Sequence, residues 1–158
     1  MRLSSLLSLL LLAPAVQAAP PRLVAVLEFR NPHELVQDRL KFSARLRAAL
    51  RRDPDLHVIA SEEMMALVQA NPAAFDRCDD ADCAQVGRLL GAEVVVDGAF
   101  SRAGKGKLAL NLRAVDPRNG RILTSTRIVA RTERKIFEAL LAAAAALSRE
   151  LAGPPAAG

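Results

Sequence analysis

The side chains with chemistry to offer fall into four groups. His33 stands near Glu28, Asn31 and Glu34, and an imidazole beside a carboxylate is the smallest set that performs general acid–base work near neutral pH. Cys78 and Cys83 are the two cysteines of the chain. Around them Asp76, Asp79, Asp80 and Asp82 offer carboxylate oxygens of the kind calcium takes. Arg102, Lys105, Lys107, Arg118 and Arg121 would bind an anionic polymer or a membrane surface if the fold set them on one face.

Each group also has a plainer structural reading. A lone histidine beside a helix start is ordinarily a capping or surface residue. His57, the second histidine, is expected to be a partly buried strand residue. No Gly-x-Ser-x-Gly elbow, His-Glu-x-x-His pair or phosphate-binding glycine loop ahead of a helix occurs. The aspartates lack the Asp-x-Asp-x-Asp-Gly spacing and the distal glutamate of a calcium loop, and helix starts attract aspartate through the dipole. The sequence therefore predicts no catalytic residue, no metal and no cofactor. The cysteines are expected to pair. Five residues apart within one helix they would lie about 7.5 Å apart along the axis and on different sides, beyond disulfide reach. Cys78 is thus placed before a helix and Cys83 in its first turn. The Cys-x4-Cys spacing, with no histidine nearby, argues for a structural bond rather than a redox centre.

The elements that position these residues follow from pattern. Residues 1–18 read as a secretory signal, with Arg2 as the basic start, an apolar run from Leu6 to Leu12 and a small-x-small site at Val16-Gln17-Ala18. Cleavage is expected after Ala18, placing the chain in the periplasm or outside the cell. The run is shorter than the ~20 apolar residues of a membrane span, and no cysteine follows it to carry lipid, so no stable membrane anchor is predicted. Residues 19–152 then form one domain and 153–158 a flexible tail. Residues 23–29, apolar on both faces, read as a central strand, and residues 34–52 as a helix with Leu35, Phe42, Leu46, Ala49 and Leu50 on one face. A short strand over 56–59 and a helix N-capped by Ser61 come next. A helix over about 80–90, closed by Gly91, leads into a strand over 93–100. Gly104-Lys105-Gly106 turns a hairpin into the alternating Leu108, Leu110, Leu112 and Ala114. Asp116 to Gly120 turns the chain into a strand over 122–130, and a helix over 132–151 carries Ile136, Leu140, Ala143, Leu147 and Leu151 on one stripe. Right-handed crossovers give an α/β domain with a single mixed five-stranded sheet, order 2-1-3-4-5, the last three strands antiparallel and helices packed on it.

Composition limits the partners. A share of 51% hydrophobic residues excludes disorder for the bulk of the chain. Without Trp or Tyr, and with five Phe, it lacks the stacking surfaces of single-strand nucleic-acid binders and most sugar grooves; export also makes nucleic acid an unexpected partner. The net charge of +5 falls by one with Arg2, which reads as a solvated basic surface. The last strand is an edge, and Thr124, Ser125 and Thr126 would leave backbone groups open for a partner strand or for self-association.

Three stretches carry a resemblance. They are Val24-Ala25-Val26-Leu27-Glu28-Phe29; then Cys78-x4-Cys83-Ala84-Gln85-Val86-Gly87-Arg88-Leu89-Leu90-Gly91-Ala92-Glu93-Val94-Val95-Val96-Asp97-Gly98; then Leu112-Arg113-Ala114-Val115-Asp116-x3-Gly120. As an ordered set over about residues 22–151 they resemble the envelope superfamily of the TolB N-terminal domain, the LpoB-type activators and the periplasmic core of CsgG. The resemblance implies a non-catalytic periplasmic module that binds other envelope proteins. LpoB- and CsgG-type members carry a lipid-bearing cysteine, which is not found here, and no propeller or pore-forming strands are expected. The competing expectations are a small ligand-binding protein or hydrolase using His33 and Glu28 at the carboxyl edge of the sheet, and a binder of anionic polymer or membrane.

Overall fold

A strand apolar on both faces must be covered on both faces, and the chain is organised around one. In the computed structural model, which describes residues 19–72 and 80–153, β1 (Arg22–Val26) lies between β2 (Leu56–Val58) and β3 (Val94–Arg102). Both neighbours are parallel to it, with Leu23 opposite His57 and Ala25 opposite Val95. β4 (Leu108–Val115) and β5 (Ile122–Ala130) complete an antiparallel meander, giving the order β2-β1-β3-β4-β5. The expected fold class is the observed one. The signal segment, Asp76, Cys78, Asp79 and the tail beyond Gly153 lie outside the described residues.

One face of the sheet packs on α1 (Arg39–Leu50) and on the last helix, α4 (Glu133–Leu151). Val24, Val26, Val94, Val96, Leu110 and Leu112 meet Phe42, Leu46 and Leu50 of α1 and Ile136, Leu140, Leu147 and Leu151 of α4. The other face packs on α2 (Ser61–Ala70) and α3 (Asp80–Leu89), where Ala25, Leu27 and Val95 meet Met64, Cys83 and Val86. Gly91 closes α3 at φ 65°, and the Ala92 amide donates back to the Gly87 carbonyl at 2.9 Å. This is the glycine-terminated cap that lets a helix turn directly into a strand.

Several boundaries differ from expectation. β1 ends at Val26 rather than Phe29 because the chain bulges there. Leu27 donates to the Val96 carbonyl and Arg30 to that of Gly98, so donors three residues apart serve acceptors two apart, with one residue extra. The bulge inverts the alternation: Leu27 faces α2 and α3, while Phe29 faces α1 and α4. The first helix starts at Arg39, capped by the Asp38 carboxylate, which accepts from Leu40 and Lys41 amides at 3.1 and 3.4 Å. Residues before it form a single turn, Pro32–Glu34, in which His33 and Glu34 adopt left-handed φ of 59° and 48° and prevent helix propagation. Ser61 is the first helical residue rather than the cap; Ala60 occupies the cap without a side-chain bond. His57 is exposed, not partly buried.

Phe29 relies on Gly98. A Cβ at Gly98 would lie 2.6 Å from Phe29 Cδ1, and the Phe29 ring packs edge-on to Phe100 at 6.4 Å. Overpacking of this kind costs about 1–3 kcal/mol. Gly98→Ala is expected to lower stability by that amount in urea melts followed by far-UV circular dichroism, and adding Phe29→Leu to restore part of it; a Gly98→Ala variant as stable as the parent would contradict this packing.

At the β4–β5 turn the Asp116 carboxylate, 5% exposed, accepts from the Arg118 amide at 2.9 Å and from its Nε and Nη2 at 3.0 and 2.7 Å. Hydrogen bonding from Arg118 holds its carboxyl below the usual value, against burial. Asp53 is also lowered, by a hydrogen bond from Ser148 of α4 and then by the Asp55 amide. A depressed folded-state pKa gives stability that is complete above the ordinary aspartate value and lost as pH falls through the lowered one. The parent should therefore lose stability below about pH 4, and Asp116→Asn should flatten that part of the profile; an unchanged acid limb would contradict the assignment.

Candidate functional site

Among the described residues α4 covers β4 and β5 on one face. On the other face α2 and α3 cover the parallel half, and α3 reaches the antiparallel half at the β4–β5 turn, where Arg88 Nη1 donates to the Pro117 carbonyl at 2.7 Å. The registers set Asp97, Ala99 and Ser101 of β3 beside Arg113, Asn111 and Ala109 of β4, and these beside Ser125, Arg127 and Val129 of β5. β5 is the outer strand of the sheet, so one row of its backbone groups has no partner strand among the described residues.

Of the three residues named for this edge, Ser125 is exposed on the open face. Thr124 and Thr126 stand opposite Ala114 and Leu112, both of the α4-side core, and are half-buried. The three share the edge but not a face, as a period of two requires. Arg127, exposed on the same side as Ser125, was not singled out by sequence.

The margin between the covered and open halves is a charged cluster that sequence reasoning missed. Asp97 is 2% exposed, and Arg113 grips it with two bonds, Nε to Oδ1 at 3.0 Å and Nη2 to Oδ2 at 2.6 Å. Arg30, brought alongside by the β1 bulge, donates from Nη2 to Oδ2 at 3.3 Å. The Cys83 sulfur lies 3.7 Å from the same oxygen. Two guanidinium groups thus converge on one buried carboxylate. The signal was available: Asp97 and Arg113 are equidistant from Lys105, the centre of the hairpin turn, so symmetric pairing sets them opposite each other.

The proposed acid–base pair is not assembled. The Glu28 carboxylate turns to α1, where Ser43 Oγ donates at 2.6 Å and Arg47 donates from Nη2. Arg47 is buried and also donates from Nε to the Val26 carbonyl at 3.1 Å, at the start of the bulge. His33 is exposed and makes no side-chain hydrogen bond among the described residues. A shallow depression beside it is lined by Asn31, Glu34, Val36, Gln37 and Arg39. Asn31 is occupied structurally, giving Nδ2 to the Val36 carbonyl at 2.7 Å and accepting the Val36 amide at 3.2 Å.

The five cations do not form one patch. Arg102, Lys105 and Lys107 belong to the β3–β4 hairpin, while Arg118 and Arg121 belong to the β4–β5 turn at the other end of β4. An eight-residue strand separates the two ends by roughly 25 Å. Cys83 is fully buried and is the fourth residue of α3. No group of three metal-binding side chains occurs among the described residues, and no described helix is long and apolar enough to cross a membrane.

No family model and no curated protein sequence matches the chain. Solved structures do. Lipoprotein GNA1162 from Neisseria meningitidis superposes with a TM-score of 0.59 at 18% identity, over 80% of this chain and 96% of that one. The C-terminal domain of LpoB from Salmonella enterica gives 0.55 at 15% identity, over 75% and 88%. TolB from Acinetobacter baumannii gives 0.54 at 16% identity, over 87% of this chain but 30% of TolB. The chain thus has an LpoB- and TolB-like envelope-domain fold.

Proposed function

We propose that this chain is a non-catalytic, protein-binding accessory of cell-envelope assembly or transport, working in the periplasm after signal cleavage near Ala18. The observation that carries this reading is the nine-residue strand β5, which has no outer partner strand among the described residues. An extended segment of a partner adds to such an edge through backbone hydrogen bonds, and Ser125 and Arg127 on the open face would select its side chains. The partner is an envelope protein, with a second copy of this chain as the competing occupant. The fold likeness to GNA1162, LpoB and TolB supports the envelope setting. The dispersal of Glu28 and His33 supports a role without catalysis.

We propose further that Cys78 and Cys83 form a disulfide that pins the start of α3; alkylation of the unfolded chain in denaturant without reductant should leave both unmodified, and labelling of either would remove the bond.

Adjacent strand residues turn their N–H groups to opposite sides, so one of Ser125 and Thr126 addresses the open edge. Of the Ser125→Pro and Thr126→Pro variants, the one at the outward-facing position should fold and lose crosslinks to its identified envelope partner. A folded outward variant with undiminished crosslinking would contradict edge docking.

A further inference from the structure

The sense of the strands gathers unpaired cations at one end of the domain. β3 runs up to its hairpin, and β5 runs the same way because both are antiparallel to β4. The hairpin residues Arg102, Lys105 and Lys107 therefore share an end with Arg131, which follows β5, and with Lys135 in the first turn of α4. Four of these five are exposed and Lys107 is half-buried, and none is in an ion pair among the described residues. Three of the acids at this end are already engaged, and Glu34 is exposed without a side-chain partner among the described residues. Asp38 caps α1, Glu133 accepts from Lys41 and from the Gln37 amide, and Glu138 pairs with Arg134 at 3.6 Å.

Two further features set this end apart. The first turns of α1 and α4 hold Arg39, Lys41, Arg134 and Lys135, where the positive helix terminus disfavours cations. Lys41 and Arg134 are compensated by Glu133 and Glu138, which leaves Arg39 and Lys135 without an ion pair among the described residues. Large apolar side chains flank the cations: Leu40 is 53% exposed and Val129 46%. At the opposite end Arg118 is taken by Asp116 and Arg22 by the Leu151 carbonyl, while Arg51, Arg52, Arg121 and Arg149 are exposed there without the hairpin or the two helix starts beside them.

We propose that this basic end docks reversibly on an anionic lipid surface. The cations come from a hairpin, a strand end and a helix start, and none of the five lines a described depression. A broad array of this kind matches a plane of phosphate headgroups rather than a single small anion, and Leu40 and Val129 supply apolar contact at the headgroup boundary. The docking leaves the β5 edge, along the side of the sheet, accessible, and it does not rest on the edge-binding reading.

The test is co-sedimentation of the full chain with vesicles of phosphatidylethanolamine and phosphatidylglycerol, against vesicles of phosphatidylcholine and against soluble polyphosphate. A membrane-near cation contributes about fivefold in partitioning, so Lys105→Glu/Lys107→Glu should lower binding to the anionic vesicles at least about 25-fold. Arg51→Glu/Arg121→Glu, with the same change in net charge at the other end, should bind nearly as the parent does, and added salt should release the parent. Equal binding to both kinds of vesicle, equal loss in both variants, or binding to polyphosphate without binding to vesicles would overturn the proposal. Circular dichroism of each variant separates these results from unfolding.

Discussion

Parallel strands need cover on both faces, whereas an antiparallel pair tolerates one open face, and β3 has a parallel neighbour on one side and an antiparallel neighbour on the other. Most of the organisation follows. Beside β1 the sheet is enclosed, with α1 on one face and α2 and α3 on the other. Beyond β3 the second face is less covered by helices among the described residues, and polar side chains take over where Val95 gives way to Asp97 and Ser101 along the same face. The change of strand sense makes this lighter cover tolerable.

The boundary between the two regimes is held by charge. Asp97 is buried where the helical cover stops, and a buried carboxylate is tolerated only when paired and hydrogen-bonded. Arg113 supplies a bidentate grip from β4, and Arg30 a third bond from the extension of β1. The β1 bulge makes both this bond and the packing of Phe29 against Gly98 possible. The same irregularity presents Glu28 to Arg47 and Ser43. What reads in the sequence as an acid near a histidine is a fastening between strand and helix.

The regular parts of this architecture were legible because periodicity reports burial directly. The alternation of Leu108, Leu110 and Leu112, the stripe of α4 and the turn at Gly104-Lys105-Gly106 appear where the pattern set them. The bulge was not legible, since Leu27-Glu28-Phe29 continues an apolar run and nothing local marks the extra residue. The late start of α1 depends on left-handed His33 and Glu34, a conformation that side chains of their type do not announce. The sequence leaves open whether the cations on the two flanks of β4 share a face, although turns before and after one strand must lie at its opposite ends. The Asp97–Arg113 pair was within reach once the hairpin was centred on Lys105.

In the proposed function the β5 edge of the meander meets other proteins and the His33 corner does not. A photoreactive residue introduced at Ser125, compared with one at His33, in cells carrying the intact envelope tests it most directly. A discrete adduct to an envelope protein or to a second copy of the chain is expected from position 125, and none from position 33. An adduct from position 33 alone would contradict it.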